Sequence, residues 1–204
     1  MKAVPLTSLQ NYRLYRRIDL KQDTKLSLWL NLSALIPVVP FGALYLVLYC
    51  LDRAAFFLNI DADGVSLTQA ILPVIFLLPL YVVVILTHEL IHGAFFRRYS
   101  PGRIKYGFSG LFAYAGNPGM AYPKKEYTVV GLAPTVIITA MFAVLCLFLR
   151  GGWFFICYWA MVMHLGGCAG DIYVAWLLRK LPEETVIEDT GLCMSIYVPK
   201  ENEQ

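Results

Sequence analysis

Residues 82–100 read VVVILTHELIHGAFFRRYS, a run apolar enough to lie inside a lipid bilayer that nevertheless carries two histidines and a glutamate at its middle and closes on two arginines. Ionisable groups in hydrocarbon cost on the order of several kcal/mol unless they are paired, bound to metal or wetted. HELIH, residues 88–92, has the HExxH spacing. On a helix this puts His88 and His92 one turn apart on the same face, where both imidazoles reach one metal ion. Glu89 then lies beside the metal, free to act as a base. Two of the chain's three histidines fall in this motif. The competing reading is a pair of core histidines satisfied by hydrogen bonds, which burial of a glutamate beside them in a membrane helix disfavours.

The rest of the chain agrees with a membrane setting. Its 204 residues are one domain's worth, and 58% hydrophobic content with mean hydropathy +0.60 lies outside the soluble range. Four stretches are long enough to cross about 30 Å of hydrocarbon: about 28–50, 68–96, 128–149 and 153–178. The expected fold is therefore an all-α polytopic membrane protein with HExxH on the second of about four spans. Residues 1–27 form an N-terminal surface segment, since NYRLYRRIDLKQDTK holds off the first apolar run too long for a cleavable signal. Residues 28–180 form the transmembrane domain and 181–204 a cytoplasmic tail. Fifteen Lys and Arg lie in the two termini and the 97–127 loop, against only Arg53 and Arg150 in the other two loops, so both termini are expected in the cytoplasm. The loop LDRAAFFLNIDADGVS, 51–66, is expected outside and is too short to be a binding domain. The net charge of +3 comes from residues beside span ends, where they meet anionic lipid, and calls for no nucleic-acid partner. The five cysteines show no CxxC spacing and read as buried or reduced thiols.

A catalytic zinc site needs a third protein ligand and an open position. With Arg97 and Arg179 marking span ends and a rise of about 1.5 Å per residue, His92 lies roughly 8 Å deep, His88 about 14 Å and Asp171 about 12 Å. His164 is about 23 Å deep, too far to join them, and reads as a polar helix contact or a group behind the ligands. Asp171 follows Gly166, Gly167 and Gly170, small residues that let another helix approach. Cys168 is a chemically possible alternative ligand, and an Asp171 paired with a cation or facing water is the non-metal alternative. Two imidazoles and a carboxylate favour one Zn2+.

The loop RIKYGFSGLFAYAGNPGMAYPKKEY, 103–127, holds two short β-like pieces, IKYGF and LFAYA. They offer either a strand edge to an extended substrate or an aromatic anchor at the headgroups. Pro134, in GLAPT, is assigned no role. The tail reads as a hairpin, TVI and CMSIYV around the turn DTG, with Asp189 a turn residue.

HELIH near a span end, GLAP opening the next, and GGCAGDIYVAWLLRKLPEETVIEDTG resemble the putative zincin peptidase family of small bacterial membrane proteins, and more distantly the site-2-protease-like intramembrane metalloproteases. The resemblance runs from about residue 85 to 198. It implies zinc held by His88, His92 and Asp171, with Glu89 activating water, in a bacterial cell membrane. Site-2 proteases usually carry Leu-Asp-Gly at the third ligand, where this chain reads Ala-Gly-Asp-Ile, so Asp171 rests on depth and on the nearer family. The expected function is a zinc metallopeptidase acting on a membrane or membrane-proximal protein. The alternative is a non-catalytic metal-binding membrane protein, a transporter component or assembly factor. The polar groups cluster on two spans instead of tracing a path through several, which favours a local reaction site.

Overall fold

The computed structural model describes residues 2–19, 21–50, 67–109 and 112–200. The loop 51–66, expected outside the membrane, falls beyond them. Six α-helices are present among the described residues: α1 (Thr24–Ser33), α2 (Val38–Cys50), α3 (Leu67–Tyr99), α4 (Lys124–Phe148), α5 (Gly151–Gly167) and α6 (Ala169–Leu178). Seven strands accompany them: β1 (Val4–Pro5), β2 (Tyr12–Asp19), β3 (Lys105–Ser109), β4 (Phe112–Gly116), β5 (Met120–Pro123), β6 (Val186–Asp189) and β7 (Cys193–Pro199).

The all-α expectation is thus wrong. The described chain contains a five-stranded antiparallel sheet of order β1-β5-β6-β7-β2 and a separate β3–β4 hairpin. The miss has a physical origin. β2, YRLYRRID, is an arginine-rich edge strand, charged in the way exposed strand edges commonly are. Its partner is β7, nearly the whole chain away, in a register running from Tyr12 opposite Pro199 to Asp19 opposite Cys193. No local pattern announces such pairing. Strands β3 and β4 do fall on IKYGF and LFAYA, and β6 and β7 flank the DTG turn, where Gly191 takes a φ of +82°.

The chain divides into two compact units. The first comprises Met1–Leu30, Thr87–Pro134 and Gly170–Gln204; the second comprises Asn31–Leu86 and Thr135–Ala169. The first is held by one apolar core in which Ile18, Tyr122, Ile187 and Ile196 of the sheet meet Phe96 of α3, Tyr127 and Val130 of α4, and Val174, Leu177 and Leu178 of α6. Each large apolar side chain removed from water contributes about 1.5–3 kcal/mol. This core therefore pins the ends of three helices against one sheet. A buried amide reinforces it: Asn117 donates to the Ser100 hydroxyl at 3.0 Å and to the Tyr122 hydroxyl at 2.6 Å. In the second unit the backbone of Ala34 approaches Gly166 closely, and the Tyr158 hydroxyl donates to the Phe41 carbonyl.

Three helical segments are long and apolar enough to cross a membrane: Thr24–Val47, Val74–Tyr99 and Lys124–Phe148. Helices α5 and α6 qualify only as a joint pair broken at Cys168. Only 6% of the apolar window is buried in each of the first two segments, so their Leu, Ile and Val side chains point outward, as lipid-facing residues do.

Candidate metal centre

Helix α3 delivers His88, Glu89 and His92, and α6 delivers Asp171 in its first turn, where the helix N-terminus favours a carboxylate. All four belong to the first unit. The two histidine Nε2 atoms lie 2.9 Å apart. Asp171 spans them, with Oδ2 3.3 Å from His88 Nε2 and Oδ1 3.6 Å from His92 Nε2. All three side chains are largely shielded from solvent, at 12–25% exposure.

The donor set fits a metal ion on two grounds. Metal–ligand bonds of about 2.0–2.2 Å in a tetrahedron require ligand atoms about 3.3–3.6 Å apart. The observed separations of 2.9, 3.3 and 3.6 Å bracket that edge. The second ground is chemical. His92 Nδ1 lies 3.0 Å from the Val130 carbonyl, and a carbonyl accepts only from an N–H, so the proton sits on Nδ1. With Nδ1 so occupied, a neutral ring has its Nε2 lone pair toward His88 Nε2 and the Asp171 carboxylate. Three electron-rich atoms converge, and a cation at their centre satisfies all of them at once, whereas a shared proton satisfies one pair. His88, His92 and Asp171 thus form a geometrically competent three-ligand cluster.

Glu89 has Ala115 of β4 nearby. The hairpin lies against the helix at this level because residue 93 is glycine. A Cβ there would stand 1.9 Å from the Tyr106 hydroxyl of β3. The far end of the hairpin rests on the DTG turn. A Cβ on Gly116 would fall 2.2 Å from the Thr190 carbonyl carbon.

Asp189 is more than a turn residue. Its carboxylate accepts from the Tyr127 hydroxyl of α4 and, at 2.7 Å, from the Gly191 N–H, while its own carbonyl accepts the Asn117 N–H at 2.7 Å. Burial pushes its carboxyl up from the usual value, and the Tyr127 and Gly191 donors hold it down. Val130 and this bracing role of Asp189 carry no sequence signal, because each acts through backbone atoms or across distant segments. His164 and Cys168 lie together in the second unit, with Sγ 3.5 Å from His164 Nε2, both fully buried.

Residues 81–186, slightly more than half of the chain, match the family described as putative zincin peptidase. No curated protein and no solved structure matches the chain.

Proposed function

Because the chain belongs to the putative zincin peptidase family, we propose that it is a zinc-dependent, membrane-embedded peptidase that hydrolyses peptide bonds of a membrane or membrane-proximal protein near the cytoplasmic face. The observation that carries this reading is the convergence of His88 Nε2, His92 Nε2 and Asp171 at tetrahedral spacing with Glu89 next to them. Zinc bound there would supply Lewis acidity, polarising a scissile carbonyl and bringing the pKa of water down to about 7. The chain does the rest. Two neutral imidazoles and one carboxylate neutralise only half of a divalent charge, which leaves the centre electrophilic. Glu89, not needed as a ligand, takes the proton of the attacking water and hands it to the leaving amine.

The membrane setting rests on the outward-facing apolar helices. The cytoplasmic orientation rests on the clustering of Lys and Arg and on one sheet that gathers strands from the N-terminal segment, the central loop and the tail, three segments that must then lie on one side.

The test is elemental analysis of the detergent-purified chain beside His88→Ala, His92→Ala and Asp171→Ala. Wild type is expected to hold about one zinc per chain, and each variant to lose most of it. A gently purified wild type without metal removes the foundation of the peptidase reading.

A further inference from the structure

Helix α4 contains a proline, Pro134, in its interior. In an α-helix the N–H of each residue donates to the carbonyl four positions earlier, so residue 134 would ordinarily serve Val130. Proline has no N–H to give. Val130 is 1% exposed, which makes water a poor substitute at its carbonyl. The group that donates to this carbonyl is the His92 ring, through Nδ1 at 3.0 Å. The backbone acceptor that sets the tautomer of a candidate metal ligand is thus the one whose helical donor a proline removes.

We propose that Pro134 is a positioning residue for His92: by withholding a backbone N–H it reserves the Val130 carbonyl for the imidazole, which fixes Nδ1 as the protonated nitrogen and aims Nε2 at a divalent metal shared with His88 and Asp171. Any other residue at 134 brings an N–H that competes for the same acceptor within its own helix. The imidazole then loses the partner that distinguishes its two nitrogens, and it can swing or switch tautomer. Hydrogen bonds behind metal-bound histidines raise ligand basicity and hold ring orientation, and their loss typically weakens metal affinity about 10–100-fold. Pro134 is itself fully buried, so its ring is wedged in place and the arrangement does not depend on solvent.

The inference rests on the metal site proposed above but not on peptide hydrolysis, and its test reads metal affinity. Three full-length chains in detergent are compared by zinc competition against a chelator: wild type, Pro134→Ala, and Pro134→lactic acid, in which an ester oxygen replaces the backbone N–H while the side chain matches alanine. Pro134→Ala should bind zinc about 10–100-fold more weakly, and the ester should recover most of the wild-type affinity. Equal affinity for Pro134→Ala and wild type overturns the proposal. So does equal weakening of both variants, which would assign the effect to the proline ring or its bend. If Pro134→Ala does not fold, the 15N spectrum of histidine-labelled, zinc-loaded wild type decides: His92 must show Nδ1–H with metal on Nε2, and the reverse pattern sinks the idea. A zinc-free wild type sinks this inference together with the metal site, whereas a zinc-bound wild type matched by Pro134→Ala sinks this inference alone.

Discussion

Glu89 and His92 sit three residues apart on one helix, and the proposed function gives them different work, base and metal ligand. His92 is backed by the Val130 carbonyl, which suits a ring that offers Nε2 to a metal, while no protein ligand role is needed of Glu89. Glu89→Gln should therefore keep zinc bound, since the ligand set is untouched, and reduce turnover about 10²–10⁴-fold. Metal content and cleavage measured on the same preparation check both halves, and a variant that cleaves at the wild-type rate removes Glu89 from the role of base. The HExxH spacing made His88, Glu89 and His92 legible from sequence, because a helical repeat is a local property. Asp171 was reachable only through a depth argument and the family resemblance. Val130 was out of reach, because a main-chain acceptor can belong to any residue type.

The hairpin β3–β4 packs beside α3 at Gly93, and its seat on the DTG turn is tight. Gly116→Ala places a methyl group against the backbone of Thr190, which cannot rotate away as a side chain would. The expected outcome is a loss of about 1–3 kcal/mol in stability. Thermal unfolding in detergent reads that loss, and an unchanged midpoint would show that the turn yields. At the start of α4, Lys124 Nζ donates to Glu183 at 3.0 Å, and Lys125 lies 3.6 Å from the same carboxylate. The Lys124 hydrogen bond and charge hold the Glu183 carboxyl below its usual 4.5. A lowered folded value means that the pair's small contribution is fully present above about pH 4.5 and fades as the pH falls through the folded value. Glu183→Gln should flatten that acid limb and leave stability at higher pH nearly unchanged, because the carboxylate is exposed. Unfolding midpoints of both chains across an acid series check the sign. The strand pieces around these elements were legible as short aromatic and β-branched runs. Their order in the sheet was not, since pairing of β2 with β7 depends on two segments meeting that share no local signal.

As a whole molecule, the chain exposes apolar helices and gathers its polar segments into one sheet, so it should remain in the membrane pellet through alkaline carbonate extraction. Cys193, on β7 of that sheet, reports orientation. In a chain whose other four cysteines are replaced, an impermeant thiol reagent applied to intact cells should leave Cys193 unlabelled and should modify it after permeabilisation. Labelling of intact cells would reverse the proposed topology. Composition, hydropathy and the HELIH spacing by themselves determined that this chain holds apolar helices of membrane length with a histidine pair on one face, because hydrophobic length and helical periodicity are written in consecutive residues. Tertiary structure alone decided that the chain is not all-α and that the Asp171 carboxylate spans the two histidines. It alone brought the Val130 carbonyl, four residues before Pro134, to the His92 ring. Those outcomes depend on which distant backbone groups come within about 3 Å of one another, and that is settled only when the core of sheet and helix ends has packed.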